Sequence, residues 1–172
     1  MKKKTLTIAI SFFCFHSSFS QVKAYAYAEP VLPGTIKRSI DEKGNQVEQK
    51  PKSAVNYLFY LEYKKSITIN PTGIWFKDKA YYAKAEPVKK TPVEMVNYNI
   101  PNQPEKITLV PATTGKVSSL FPDYSKTIDF KPTGRLKKLL IDCDVVFEYM
   151  YRGKRHYKAV KKITMLEPVA TQ

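Results

Sequence analysis

Val55, Tyr57, Phe59, Leu61 and Tyr63 occupy every second position of one stretch, with Asn56, Leu58, Tyr60 and Glu62 between them. Side chains alternate across a strand, so this stretch presents one unbroken apolar and aromatic face that must be buried. Its β-branched and aromatic residues favour a strand over a helix. The pattern recurs at Leu139, Ile141, Cys143, Val145, Phe147, Tyr149 and Tyr151, interleaved with Leu140, Asp142, Asp144, Val146, Glu148, Met150 and Arg152. Residues 139–151 therefore read as one long strand with most of its charge on the second face. A helix would place Asp142 beside Val145 or Val146 and fits less well.

Shorter strands are expected around these two. Ile67 and Ile69 lead to an Asn70-Pro71-Thr72-Gly73 turn, and Ile74-Trp75-Phe76 and Ala80-Tyr81-Tyr82-Ala83 flank a tight turn at Lys77-Asp78-Lys79. Val93 to Tyr98 reads as an edge strand, and 107–110 and 117–121 flank a glycine-containing turn. Turn formers cluster at 122–125 and again at Pro132-Thr133-Gly134. The chain then reverses at Arg152-Gly153-Lys154-Arg155 and runs through Tyr157, Ala159, Lys161 and Ile163 to Leu166. The twelve prolines suit turns and strand ends and would break helices. The expected fold class is all-β: a small antiparallel β-sandwich or partly open barrel, with no helix, preceded by an extended, Pro-containing N-terminal segment.

Residues 1–20 read as a secretory signal peptide: Lys2, Lys3 and Lys4, an apolar stretch from Leu6 to Phe15, then small residues at Ser18 and Ser20 before a cut at Gln21. About ten apolar residues are too few to span a bilayer as a helix, and no later segment approaches the length needed. Phe13 and Ser11 are the wrong residues for lipidation at Cys14. The expected organisation is a signal at 1–20, an extended and partly flexible leader at 21–53 with a hairpin turning at 41–45, and one β-rich domain at 54–172. Taking the three signal lysines from 29 Lys+Arg leaves 26 against 15 Asp+Glu, a mature charge of +11. Cys143 is then the one remaining cysteine, so no disulfide forms within the mature chain and the core alone must hold it. The apolar neighbours of Cys143 predict a buried, inert thiol.

Chemistry is sparse. His156, the one mature histidine, lies among Arg152, Lys154, Arg155 and Lys158 with no nucleophile or orienting carboxylate beside it. Cys143 and His156 alone make no zinc set, and the six glycines form no phosphate loop. Neither a catalytic residue, a metal site nor a cofactor is expected. Asp142, Asp144 and Glu148, placed on one strand face, would more readily pair with neighbouring lysines than gather a cation.

Basic charge interleaved with aromatics is the one functional signal. Trp75, Lys77, Lys79 and Tyr81 form one cluster, and Tyr151, Arg152, Lys154, Arg155, Tyr157 and Lys158 form a second that continues to Lys161 and Lys162. Positive charge attracts polyanions and aromatic faces stack on sugars or bases. The expected function is an exported, non-enzymatic binding or assembly module, periplasmic or extracellular, with an envelope protein as partner. The alternatives are a binder of an anionic polymer (acidic glycan, lipopolysaccharide or nucleic acid) and a hydrolase with a carboxylate-only site.

Overall fold

The computed structural model describes residues 21–32, 38–40, 46–48, 54–97, 105–129 and 131–170. The expected signal, at 1–20, lies outside the described residues. The strands are β1 (Val22–Leu32), β2 (Arg38–Ile40), β3 (Gln46–Glu48), β4 (Ala54–Tyr63), β5 (Asn70–Phe76), β6 (Lys79–Pro87), β7 (Val93–Asn97), β8 (Glu105–Val110) and β9 (Lys116–Thr127). After helix α1 (Gly134–Asp142) come β10 (Val145–Tyr151), β11 (Lys154–Val160), β12 (Thr164–Met165) and β13 (Val169–Ala170). Among the described residues, nine strands make one sheet in the order β11-β10-β5-β6-β9-β4-β1-β12, with β13 also on β1. All its pairs are antiparallel except those of β12 and β13 with β1. The sheet curls into an open half-barrel, and its flanks β1 and β11 approach one another. The all-β, partly open barrel expected from alternation is the observed architecture.

The inner face follows that alternation. Phe59, Leu61, Ile74, Phe76, Leu120, Val145 and Phe147 meet in one buried core, joined by Val22 and Ala26 of β1. β4 and β5 are not neighbours in the sheet, so residues 64–69 must cross one end of the barrel. They carry Ile67 and Ile69 into the core, closing that end. Two smaller cores lie on the outer face. The β7–β8 hairpin covers Tyr60 and Val117 with Leu109 and Val110, while α1 covers Trp75, Ala80 and Val146 with Leu136.

Three sequence expectations are corrected here. Val22–Leu32, assigned to a leader, is an eleven-residue strand inside the sheet, paired with β4 from Val22↔Tyr63 to Val31↔Ala54. The hairpin expected after it is present as β2–β3, with Arg38 opposite Glu48, and its turn at 41–45 lies outside the described residues.

The second correction is α1. Residues 139–151 are not one strand: 134–142 are helical and only 145–151 are extended. Leu136, Leu139 and Leu140 stand at i, i+3 and i+4 and all face the outer core, so the helical period governs there. A Leu-Leu-Ile run satisfies both periods, which is why alternation extended too far. The charged row assigned to one strand face dissolves with it: Asp142 ends the helix, Asp144 lies in the connection, and only Glu148 is in the strand.

The third concerns prolines taken as turns. Pro71 and Pro122 lie inside β5 and β9, and the ladder accommodates their missing N–H groups. The β5–β10 register shifts between Glu148 and Tyr149, the latter opposite Pro71; β4 leaves β9 at Leu120, before Pro122. Pro30 of β1 likewise falls between the residues paired with β12 and those paired with β13.

Leu136 is 2% exposed and is the fully buried anchor of α1. Leu136→Ala should cost about 2–4 kcal/mol. Trp75, the only tryptophan, lies in the same cluster and should report the loss as a red-shifted emission together with a lower melting temperature. An unchanged emission and melting temperature would show that α1 contributes nothing to the fold.

Candidate functional site

At the end of the barrel opposite the 64–69 crossing, α1, the β5–β6 turn and the segment after β11 enclose a groove of about 730 Å³. Its walls are Trp75, Phe76, Ala80, Ile128, Leu140 and Ile163, all apolar. Ile141, 76% exposed, stands at its edge. Lys77, Lys79, Lys161 and Lys162 surround it, with Asp78, Asp142 and Asp144.

Local geometry builds each part. Lys77 and Asp78 both have positive φ, 51° and 58°, the two-residue turn whose twist suits a hairpin, though glycine or asparagine is its usual occupant. The left-handed backbone at two ordinary side chains stores strain at the rim. The Lys77 ammonium lies over the Tyr57 ring, 4.4 Å from its centroid. Tyr57 leads into an aromatic group at the barrel mouth: Phe76, Tyr81 and the exposed Tyr124, with Tyr81 and Tyr124 centroids 5.3 Å apart. Asp144 fixes the opposite rim. Its carboxylate accepts the Ile163 N–H at 2.9 Å, and its own N–H donates to the Lys161 carbonyl at 3.2 Å.

Cys143 lines the groove and is half-buried rather than fully enclosed. Burial, and then the Asp142 carboxylate, push its thiol above the ordinary value, so it stays protonated at neutral pH. Among the described residues no three His, Cys, Asp or Glu side chains gather as a metal site.

The structure separates the residues that sequence placed in two clusters. Lys77 and Lys79 are exposed at the groove, but Trp75 is 5% exposed and forms its wall, with no free face for stacking. Tyr157, predicted with the second cluster, meets the Trp75 ring edge-on at 6.2 Å under α1. Tyr81 turns into the barrel mouth.

Tyr151, Arg152, Lys154 and Arg155 lie at the other end of the β5–β10 ladder, which runs from Val145↔Phe76 to Met150↔Asn70. At ~3.4 Å per residue the two basic turns stand roughly 20 Å apart. Arg152, at φ 49°, covers the Tyr151 ring, and Tyr149 stacks on His156 at 5.7 Å. Arg155 is held 3.5 Å from the buried Glu148, which also accepts the Thr72 hydroxyl at 2.8 Å, so its charge is largely committed. Lys158 lies half-buried along β11.

Ile141 and Ile163 at the groove, and Tyr57 and Tyr124 at the barrel mouth beside its Lys77 rim, enter the site without a sequence signal, because only folding brings them there. Lys161 and Lys162 were visible as an extension of the second basic cluster, yet they belong spatially with the first. No family model, curated protein or solved structure matches this chain.

Proposed function

We propose that this chain is an exported, non-enzymatic binding module of the cell envelope or medium. Its groove takes an anionic amphiphile, with an apolar chain along the walls and an acid group on the lysines. The observation that supports this reading is a lysine-ringed cavity of about 730 Å³ with apolar walls. That volume suits a small ligand with few fixed polar contacts. Asp144 is already engaged by backbone, and the strongly basic chain favours approach of an anion. A polymer bound by both basic clusters at once is disfavoured, since they face opposite ends of the barrel.

Trp75 in the groove wall gives the test, as the chain has no other tryptophan. Titrating residues 21–172 with dodecanoate below its micellar range should change Trp75 emission saturably. The triple reversal Lys79→Glu, Lys161→Glu and Lys162→Glu should weaken the effect by about tenfold or more. Silence of Trp75, or binding indifferent to the reversal, would overturn the reading.

A second reading has one specific observation behind it. The Tyr149–His156 stack, with Tyr151, Arg152 and Lys154 beyond it, is a short aromatic and basic ladder of the kind that holds an acidic polymer. Salt-dependent binding of single-stranded DNA or acidic polysaccharide, lost on reversing Arg152 and Lys154, would favour it over the groove.

A further inference from the structure

We propose that the mature chain begins with pyroglutamate, formed when Gln21, released by cleavage after Ser20, closes on its own side chain. This rests on the export reading. The chemistry needs no partner. The α-amino nitrogen attacks the side-chain amide carbon, a new C–N bond closes a five-membered lactam, the old C–N bond breaks, and ammonia leaves with the proton. Nothing is oxidised or reduced.

The structure favours that reaction in two ways. Gln21 is exposed, and the β1 ladder starts only at the next residue, where Val22 is 3% exposed and stands opposite Tyr63. The new terminus is thus held at the sheet by its neighbour while its own backbone stays outside the register. Gln21 also lines a shallow cavity of about 590 Å³ with Lys23, Lys64 and Lys65.

Among the described residues, Glu62 is the only carboxylate in that lining. It already accepts hydrogen bonds from Tyr25 at 2.7 Å, Thr113 at 2.8 Å and Lys23 at 3.2 Å. A newly released ammonium would join Lys64 and Lys65, and among the described lining residues no carboxylate is left to meet it, since Glu62 already holds Lys23. Like charge favours the free amine, which is the nucleophile, and the neutral lactam removes the repulsion.

The test is the intact mass and terminal fragment of the full chain after expression in a bacterial host and collection outside the cytoplasm. A product of residues 21–172 lighter by one ammonia is expected. Residues 21–172 with an unmodified Gln21 after prolonged neutral incubation would overturn the proposal and leave export standing. A product that keeps residues 1–20 would overturn export, and the proposal with it.

A time course on residues 21–172, freshly cut from a fusion, tests the lysine contribution. Lys64→Glu with Lys65→Glu should slow ammonia loss about threefold, and an unchanged rate would remove the electrostatic part of the argument. Gln21→Ala should show no mass loss in either setting, and a loss there would place the reaction elsewhere.

Discussion

Phe59→Ala is expected to destabilise the protein by about 3–5 kcal/mol, the largest effect of any single truncation considered. Phe59 is wholly buried on β4, which pairs with β1 on one side and β9 on the other. Its ring meets Phe76 at 5.3 Å and Phe147 at 5.6 Å, both edge-on, and lies 6.0 Å from Tyr57. Truncation therefore removes the transfer free energy of a full aromatic ring and three oriented ring contacts at once. A strand hydrogen-bonded on both edges has little freedom to collapse into the void. Because whole domains are stable by only about 5–15 kcal/mol, most of the margin should vanish. Urea unfolding of residues 21–172 would measure it, with Tyr82→Ala, at a half-exposed site, as the control expected to cost under about 1 kcal/mol. A loss below about 1 kcal/mol at Phe59 would mean that the barrel interior is not the core.

Glu62→Ala should cost about 2–3 kcal/mol at neutral pH, comparable to Leu136→Ala. Glu62 is a carboxylate 9% exposed on the outer face of β4, and its three partners come from two segments: Lys23 and Tyr25 of β1, and Thr113 before β9. Burial pushes its pKa up. The hydrogen bonds from Tyr25, Thr113 and Lys23 outweigh burial and hold it below the ordinary carboxylate value. The same contact acts in reverse on Tyr25, whose phenol is raised by burial first and by Glu62 second.

A folded carboxyl that titrates below its unfolded value binds fewer protons than the unfolded chain. Its contribution is complete above the ordinary carboxylate range and is lost as pH falls through the folded value. For Tyr25 the raised folded value reverses the sign, so that contribution is present below about pH 10 and is lost as pH rises further. Chemical denaturation between pH 7 and pH 2 should show wild-type stability falling faster than that of Glu62→Ala, the two curves converging at the acid end. Parallel curves would show that the network contributes nothing through ionisation.

Both effects depend on contacts that the sequence only half displays. Phe59 and Leu61 are legible as core because they stand at alternate positions, and each proved fully buried. Glu62, next to Leu61 on the opposite face, is readable as outward but not as buried. What covers it is Tyr25 and Lys23 of β1 and Thr113, the last some fifty residues away. A Cβ at Gly115 would stand 2.7 Å from the Tyr63 carbonyl, so the loop packs there only because that residue is glycine. The groove residues divide the same way. Lys77 and Lys79 mark themselves as a basic turn, whereas Trp75 looks like a stacking surface and is a wall, because the helix that covers it was read as a strand.

What the sequence by itself determined is local. Period-two placement of aromatic and β-branched residues made β4 and β10 strands with one inward face, and the Lys77-Asp78 and Arg152-Gly153 turns joined their neighbours. These follow from the sterics of a few consecutive residues and hold whatever the rest of the chain does. Tertiary structure alone decided that β1 belongs to the sheet, that 134–142 coils over its outer face, and that the two basic turns face opposite ends. Those outcomes are set by which distant apolar faces can be buried together, and burial is a property of the pair of surfaces, not of either segment.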